Sequence, residues 1–179
     1  MPAYEWERRE SIPHADCRVY RILKERWLEK AEAGGREGEF YIIDVGDWAV
    51  ALAKTRDNRY ILVRQFRFGS GEMSLEFPAG VVDPGEDPVA AARRELYEES
   101  GYEGGEGVLL GTVEPNPALQ RNRCHFVLFP EATHRDGGAP EGHESFDVVE
   151  MPLPEVRERA LNGGIRHAIV HAALLFLTA

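Results

Sequence analysis

Glutamates 95, 98 and 99 stand close together inside the segment GVVDPGEDPVAAARRELYEESGY, residues 80–102. On a helix the 95/99 spacing is i,i+4 and the 95/98 spacing is i,i+3, so the carboxylates gather on one flank. There they repel one another, and they lie at the negative end of the helix dipole, where acids are disfavoured. Arg94 can pair with Glu98 at i+4, which leaves two acids uncompensated, and Glu86 just ahead of the helix adds a fourth. A local rule broken this consistently marks either a solvated acidic face or a site. The companion loop favours a site. Clustered carboxylates supply the oxygen ligands that a hard divalent cation such as Mg²⁺ requires. A glycine loop running into the helix lets backbone approach a phosphate closely.

The elements around this segment follow from pattern. Asp87 is a good N-cap, Pro88 suits the first helical position, and Val89, Ala92 and Leu96 form an apolar stripe at helical spacing. Gly101 is a helix stop. Upstream, FYIIDV, WAVALAKT and YILVRQF read as strands separated by tight turns at Gly46-Asp47 and 56–59, and SLEF at 74–77 as a short strand. Residues 17–30 begin with alternation and drift toward helical spacing, so strand and helix stay open there. Downstream, strands are expected at 107–113, 123–129 and about 146–151, then helices at roughly 154–162 and 165–178. Strands first with helices interspersed indicate an α/β or α+β sandwich.

Composition narrows the class. At 179 residues with 43% hydrophobic content, the chain can bury a core and suits one domain with a short appended element. Asp and Glu number 31 against 21 Lys and Arg, a formal charge of −10, which disfavours a nucleic-acid-coating role. Small phosphorylated ligands remain compatible, provided metal ions stand between the two. Cys17 and Cys124 make no CxxC pair, so no zinc ribbon or disulfide scaffold is expected. MPAYEWERRE carries charge where a signal peptide needs an apolar run, and the apolar stretch 168–178, interrupted by His171, is too short to span a bilayer. The expectation is a soluble cytoplasmic protein without a membrane partner.

The segment 80–102 resembles the signature of the Nudix hydrolases, G-x5-E-x7-R-E-U-x-E-E-x-G-U with U bulky and apolar or aromatic. Gly80, Glu86, Arg94, Glu95, Leu96, Glu98, Glu99, Gly101 and Tyr102 fill every specified position. The resemblance implies an α/β/α sandwich with a mixed sheet and a small N-terminal β extension. It implies a Nudix hydrolase domain over 46–179 and an N-terminal extension over 1–45 that helps a homodimer assemble. It implies binding of Mg²⁺ or Mn²⁺ and hydrolysis of a nucleoside diphosphate linked to another group. Glu95 and Glu99 would be the principal metal ligands, with Glu98 beside them and Glu86 assisting at the metal cluster or its waters. The Ala79 carbonyl would be a further ligand. Arg94 would orient the glutamates, and Gly80 and Gly101 would allow the turns.

The run LVRQFRFGSGEMSLEFPAG, residues 62–80, resembles the stretch before the signature in ADP-ribose pyrophosphatases and related nucleoside-diphosphate-sugar hydrolases. Pro117 also suits that branch. The resemblance places Arg64, Arg67 and Glu76 near substrate, the arginines gripping phosphate. The loop EPNPALQRNRCHF departs from that branch's usual YPSPG-like loop and shifts the expectation toward nucleoside-diphosphate sugars in general. Its Gln120, Arg121 and Arg123, with Asn116 and Asn122, are donors suited to sugar hydroxyls or phosphates. The general base would be Glu144 on the loop GAPEGHESFD, with Glu141 or a signature glutamate as alternatives. Two other functions compete: nucleoside-triphosphate sanitation of the MutT kind, and a non-catalytic nucleotide-sugar-binding module. No histidine pair has a trusted metal spacing, and Cys124 reads as a buried strand residue.

Overall fold

The computed structural model describes residues 5–30, 35–135 and 147–177. The chain divides into two compact units, Met1–Gly46 with Glu114–Arg123, and Asp47–Val113 with Cys124–Ala179.

In the first unit β1 (Trp6–Asp16), β2 (Arg21–Glu29) and β3 (Glu37–Asp44) form an antiparallel meander in that order. The ambiguous stretch 17–30 is therefore a turn and a strand. Its fate is decided by pairing along the whole of β2, from Arg21 opposite Asp44 to Leu28 opposite Glu37. β1 carries no apolar alternation, and WERRESIPHAD gave no reason to expect a strand. It is held by its ladder to β2, which bulges between Arg8 and Glu10 and again between Pro13 and Ala15. The segment 114–123 joins this unit through the Ile43 N–H, which donates to the Leu119 carbonyl at 2.8 Å.

The second unit contains β4 (Trp48–Ala53), β5 (Arg59–Arg67), β6 (Glu72–Glu76), β7 (Ala79–Val81), α1 (Pro88–Ser100), β8 (Tyr102–Gly104), β9 (Val108–Val113), β10 (Cys124–Phe129), β11 (Ala132–His134), β12 (Asp147–Pro152), α2 (Leu153–Leu161) and α3 (Ala168–Phe176). Its main sheet runs β7-β4-β10-β9 and is mixed: β4 and β10 are parallel, and the other pairs antiparallel. A second sheet runs β12-β5-β6, and β8 pairs with β11. The turn at Gly46-Asp47 does not make a hairpin, because β3 and β4 belong to different sheets. Residues 165–167, expected in the last helix, precede α3.

Alternation along β4 explains the layers. Ala49, Ala51 and Ala53 pack with Ala91, Ala92 and Leu96 of α1, and their small side chains let that helix lie close to the sheet. Val50 and Leu52 point the other way, into a core shared with Val156 and Ala160 of α2 and Val170 and Ala173 of α3. Helices thus cover both faces of a mixed sheet, the α/β/α arrangement expected. Leu96 is fully buried, and removing its side chain to alanine costs about 2–5 kcal/mol.

Candidate active site

α1 begins and ends as its residue types require. The Asp87 carboxylate accepts from the Val89 and Ala90 N–H groups at 2.9 and 3.3 Å, and Pro88 stands where no donor is needed. Gly101 adopts φ 71° and donates its N–H to the Tyr97 carbonyl at 2.8 Å.

Beside this helix lies β7, and each of its residues meets a signature side chain. The Ala79 N–H donates to Glu99 Oε2 at 3.0 Å. Gly80 faces Glu95 so closely that a Cβ there would lie 2.1 Å from Glu95 Oε1. The Val81 carbonyl accepts from Arg94 Nη2 at 3.0 Å. Gly80 was expected to allow a turn. It instead sits in a strand, and its lack of a side chain makes room for a carboxylate.

Arg94 holds more acids than its helical spacing indicates. Its Nε and Nη2 donate to the two oxygens of Glu86 at 3.1 and 3.0 Å, and its Nη1 donates to Glu95 at 2.7 Å and Glu98 at 3.1 Å. Only the Glu98 pair follows from i,i+4; Glu86 reaches Arg94 because the 82–87 loop folds back over the helix. The Asp83 N–H donates to Glu86 Oε2 at 3.0 Å. Arg94 holds the Glu86 carboxyl below the usual carboxylate range, and the acids, Glu86 foremost, raise the Arg94 guanidinium in return.

Among the described residues no three His, Cys, Asp or Glu side chains are placed to hold a metal ion together, and Arg94 is paired with Glu86, Glu95 and Glu98. The donor set nonetheless fits a hard divalent cation. Glu86, Glu95, Glu98 and Glu99 offer only oxygens, and the Gly80 gap accommodates the Glu95 carboxylate.

The other expected site residues have varied settings. Arg67 forks onto Glu76, Nε to Oε1 at 2.9 Å and Nη2 to Oε2 at 2.7 Å. Burial pushes the Glu76 carboxyl up, but Arg67, Ser74 and His167 overcome this and hold it low. Arg64 is exposed on β5, opposite Asp147 of β12. Pro117, Gln120, Arg121 and Arg123 belong to the first unit. There Arg121 Nη2 lies 2.5 Å from Glu25, a wholly buried acid that also accepts from Ser11 Oγ and Trp27 Nε1. Gln120 donates its N–H to the Asn116 carbonyl at 2.7 Å; Pro117 and Arg123 are exposed. Glu144 and Glu141 lie outside the described residues. Burial, with Asp47 nearby, pushes the Cys124 thiol up to about 12, which suits a structural role.

Sequence reasoning missed the hydrogen bonds that join His125 with Asp47 and with Thr112, and the one from the Tyr102 hydroxyl to Glu150. Their partners are 13 to 78 positions apart, and no local spacing signals them.

Residues 47–172 match the NUDIX domain family. The chain belongs to the Nudix family. Mouse ADP-sugar pyrophosphatase is 48% identical to it over 104 residues, covering 55% of this chain and 48% of that protein. GDP-mannose pyrophosphatase of Klebsiella pneumoniae is 28% identical over 164 residues, 82% of each chain. A crystal structure of an ADP compounds hydrolase superposes with a TM-score of 0.84 at 19% identity, covering 97% of this chain and 92% of that one, and so shares the fold. The chain spans about half the length of the mouse relative.

Proposed function

We propose that this Nudix protein is a cation-dependent pyrophosphohydrolase that cleaves ADP-ribose or another nucleoside-diphosphate sugar to a nucleoside monophosphate and a sugar phosphate. The carrying observation is the β7–α1 face, where Ala79, Gly80 and Val81 each engage a signature residue and Arg94 gathers three glutamates. The named activities of the mouse and Klebsiella relatives support this substrate class.

Glu95 and Glu99 would be the main ligands of Mg²⁺, or of Mn²⁺, with Glu98, Glu86 and the Ala79 carbonyl completing the set. Such cations neutralise pyrophosphate charge and acidify a water. Arg94 holds the glutamates in register, and Arg67, itself set by Glu76, meets a phosphate or sugar oxygen together with Arg64. Pro117, Gln120, Arg121 and Arg123 remain candidates for substrate choice on the strength of their residue types and the family resemblance alone. Glu144, Glu141 or a signature glutamate accepts the water's proton.

The protein acts as a homodimer. Ile12, Phe40 and Tyr41 of the first unit are exposed, and its buried residues among those described are Glu25 and Asn122; a second copy covering this apolar surface is what supports the reading. Sedimentation showing only a 20.1 kDa species would refute this. The acidic charge fits a protein that does not coat nucleic acid. Among the described residues no helix is long and apolar enough to cross a membrane. The unpaired Cys17 and Cys124 agree with a cytoplasmic location.

The test is a turnover panel with Mg²⁺ containing ADP-ribose, ADP-glucose, GDP-mannose, UDP-glucose and dGTP, with products identified by mass. A monophosphate plus a sugar phosphate supports the proposal. Preference for dGTP would make the protein a triphosphate-sanitising enzyme, and tight binding without turnover would make it a binding module.

A further inference from the structure

His125, on β10, is buried to 7% exposure and makes two side-chain hydrogen bonds. Its Nε2 lies 3.2 Å from Asp47 Oδ2, and its Nδ1 lies 3.0 Å from Thr112 Oγ1 on β9. A carboxylate oxygen accepts, so in the neutral ring Nε2 carries the proton and Nδ1 accepts from the Thr112 hydroxyl. This is the tautomer that the two contacts call for in the neutral ring.

Asp47 connects that pair to the carboxylate face. Its backbone carbonyl accepts from the Val82 N–H at 2.8 Å, one residue beyond β7. β7 is a three-residue strand at the edge of its sheet, paired with Trp48, Ala49 and Val50 of β4, and just before it the Pro78 carbonyl accepts from the Ala51 N–H at 2.8 Å. So short a ladder fixes a strand weakly, yet Ala79, Gly80 and Val81 each set a signature side chain. The Asp47–Val82 bond extends the ladder at the end nearest the 82–87 loop. Asp47 is in turn tied through its side chain to β10, the strand on the other side of β4.

We infer that His125 is a positioning residue. Held with its proton on Nε2 by Thr112, it fixes Asp47 and, through the Asp47 carbonyl, the strand against which Glu95, Glu99 and Arg94 are set. The effect on cation affinity rests on the reading that this face takes the cation; the tautomer and the Val82 bond do not.

The test compares wild type with His125→Leu, which keeps bulk without either hydrogen bond, and His125→Gln, whose amide N–H reaches toward Asp47. Three readouts are taken: the ¹⁵N signature of the His125 ring and hydrogen exchange at the Val82 amide, both on metal-free protein, and Mn²⁺ affinity by electron paramagnetic resonance. The wild-type ring should show the Nε2–H tautomer. His125→Leu should speed Val82 exchange about tenfold, and His125→Gln should restore it to within about twofold. Mn²⁺ affinity should fall about tenfold in His125→Leu, in line with losses seen when a group supporting a metal ligand is removed. A ring proton on Nδ1, unchanged Val82 exchange in His125→Leu, or a glutamine variant no better than leucine would each overturn the inference. Should His125→Leu fail to fold, Thr112→Val at an exposed strand position replaces it. It should speed Val82 exchange about threefold while Thr112→Ser does not, and no difference between the two would overturn the inference. A wild type that binds no Mn²⁺ refutes the cation site itself, and the two metal-free readouts then decide the role of His125.

Discussion

Gly80→Ala isolates one contact at the centre of the site. The added Cβ would lie 2.1 Å from Glu95 Oε1, 2.2 Å from Cδ and 2.5 Å from Oε2. Ordinary contact begins at 3.4 Å, so the carboxylate must retreat by about 1.3 Å. Gly80 is not in the left-handed region, so the backbone accepts alanine without strain, and the atoms that must move are the far end of a flexible side chain. The cost to folding is therefore the loss of an Arg94–Glu95 pair at a partly exposed site, about 0–1 kcal/mol, a fall in melting temperature of less than about 4 °C. The cost to activity is larger, because a 1 Å misplacement at a reacting centre lowers rate about 100-fold, or about 2.7 kcal/mol. The assay is Mg²⁺-dependent release of monophosphate from the best nucleotide sugar, with a thermal melt of the same preparation. Full activity in a folded Gly80→Ala variant would refute the claim that Glu95 must occupy the space beside Gly80. A variant that does not fold would refute the claim that only a side-chain end is displaced.

Four further outcomes are expected. Glu99→Gln should lose most activity with little change in melting temperature, since relieving carboxylate repulsion does not unfold α1; an inactive variant that is also unfolded would count against it. Arg94→Lys keeps one charge but cannot span Glu86, Glu95 and Glu98 together, so kcat should fall about 10- to 100-fold while the fold persists, as circular dichroism would show. The buried Glu76 has its pKa held low, so its pairing stabilises the fold above the ordinary glutamate value of about 4.3 and is lost as pH falls through the lower folded value. Glu76→Gln should therefore cost about 1–3 kcal/mol at neutral pH and less in acid, and a cost that does not shrink on acidification would contradict the pairing. Glu144→Gln should slow turnover with KM near normal, and unchanged turnover would move the base to Glu141 or a signature glutamate.

What the sequence shows of this protein is its locally encoded part. Asp87, Pro88 and Gly101 specify where α1 starts and stops, because caps depend on neighbours within a turn. The signature acids are legible for the same reason. The reach of Arg94 to Glu86 was not, since it depends on how the 82–87 loop folds back, and neither was the gap that Gly80 leaves for Glu95. The family resemblance implies an N-terminal β extension, but the residue pattern of β1 does not show it, because its ladder, and not an apolar alternation, makes it a strand. Arg121 was read as a ligand donor by its type; its partner, the buried Glu25, lies 96 positions away, and such a pair is set by topology alone.

The central claim is that the β7–α1 face hydrolyses a pyrophosphate bond with a bound divalent cation. The most direct measurement is turnover of ADP-ribose in ¹⁸O-labelled water, with Mg²⁺ and with a chelator. The prediction is AMP and ribose 5-phosphate with one labelled oxygen in one of the two phosphates, and no turnover with the chelator. Label in a sugar hydroxyl, or equal rates with and without the cation, would contradict it.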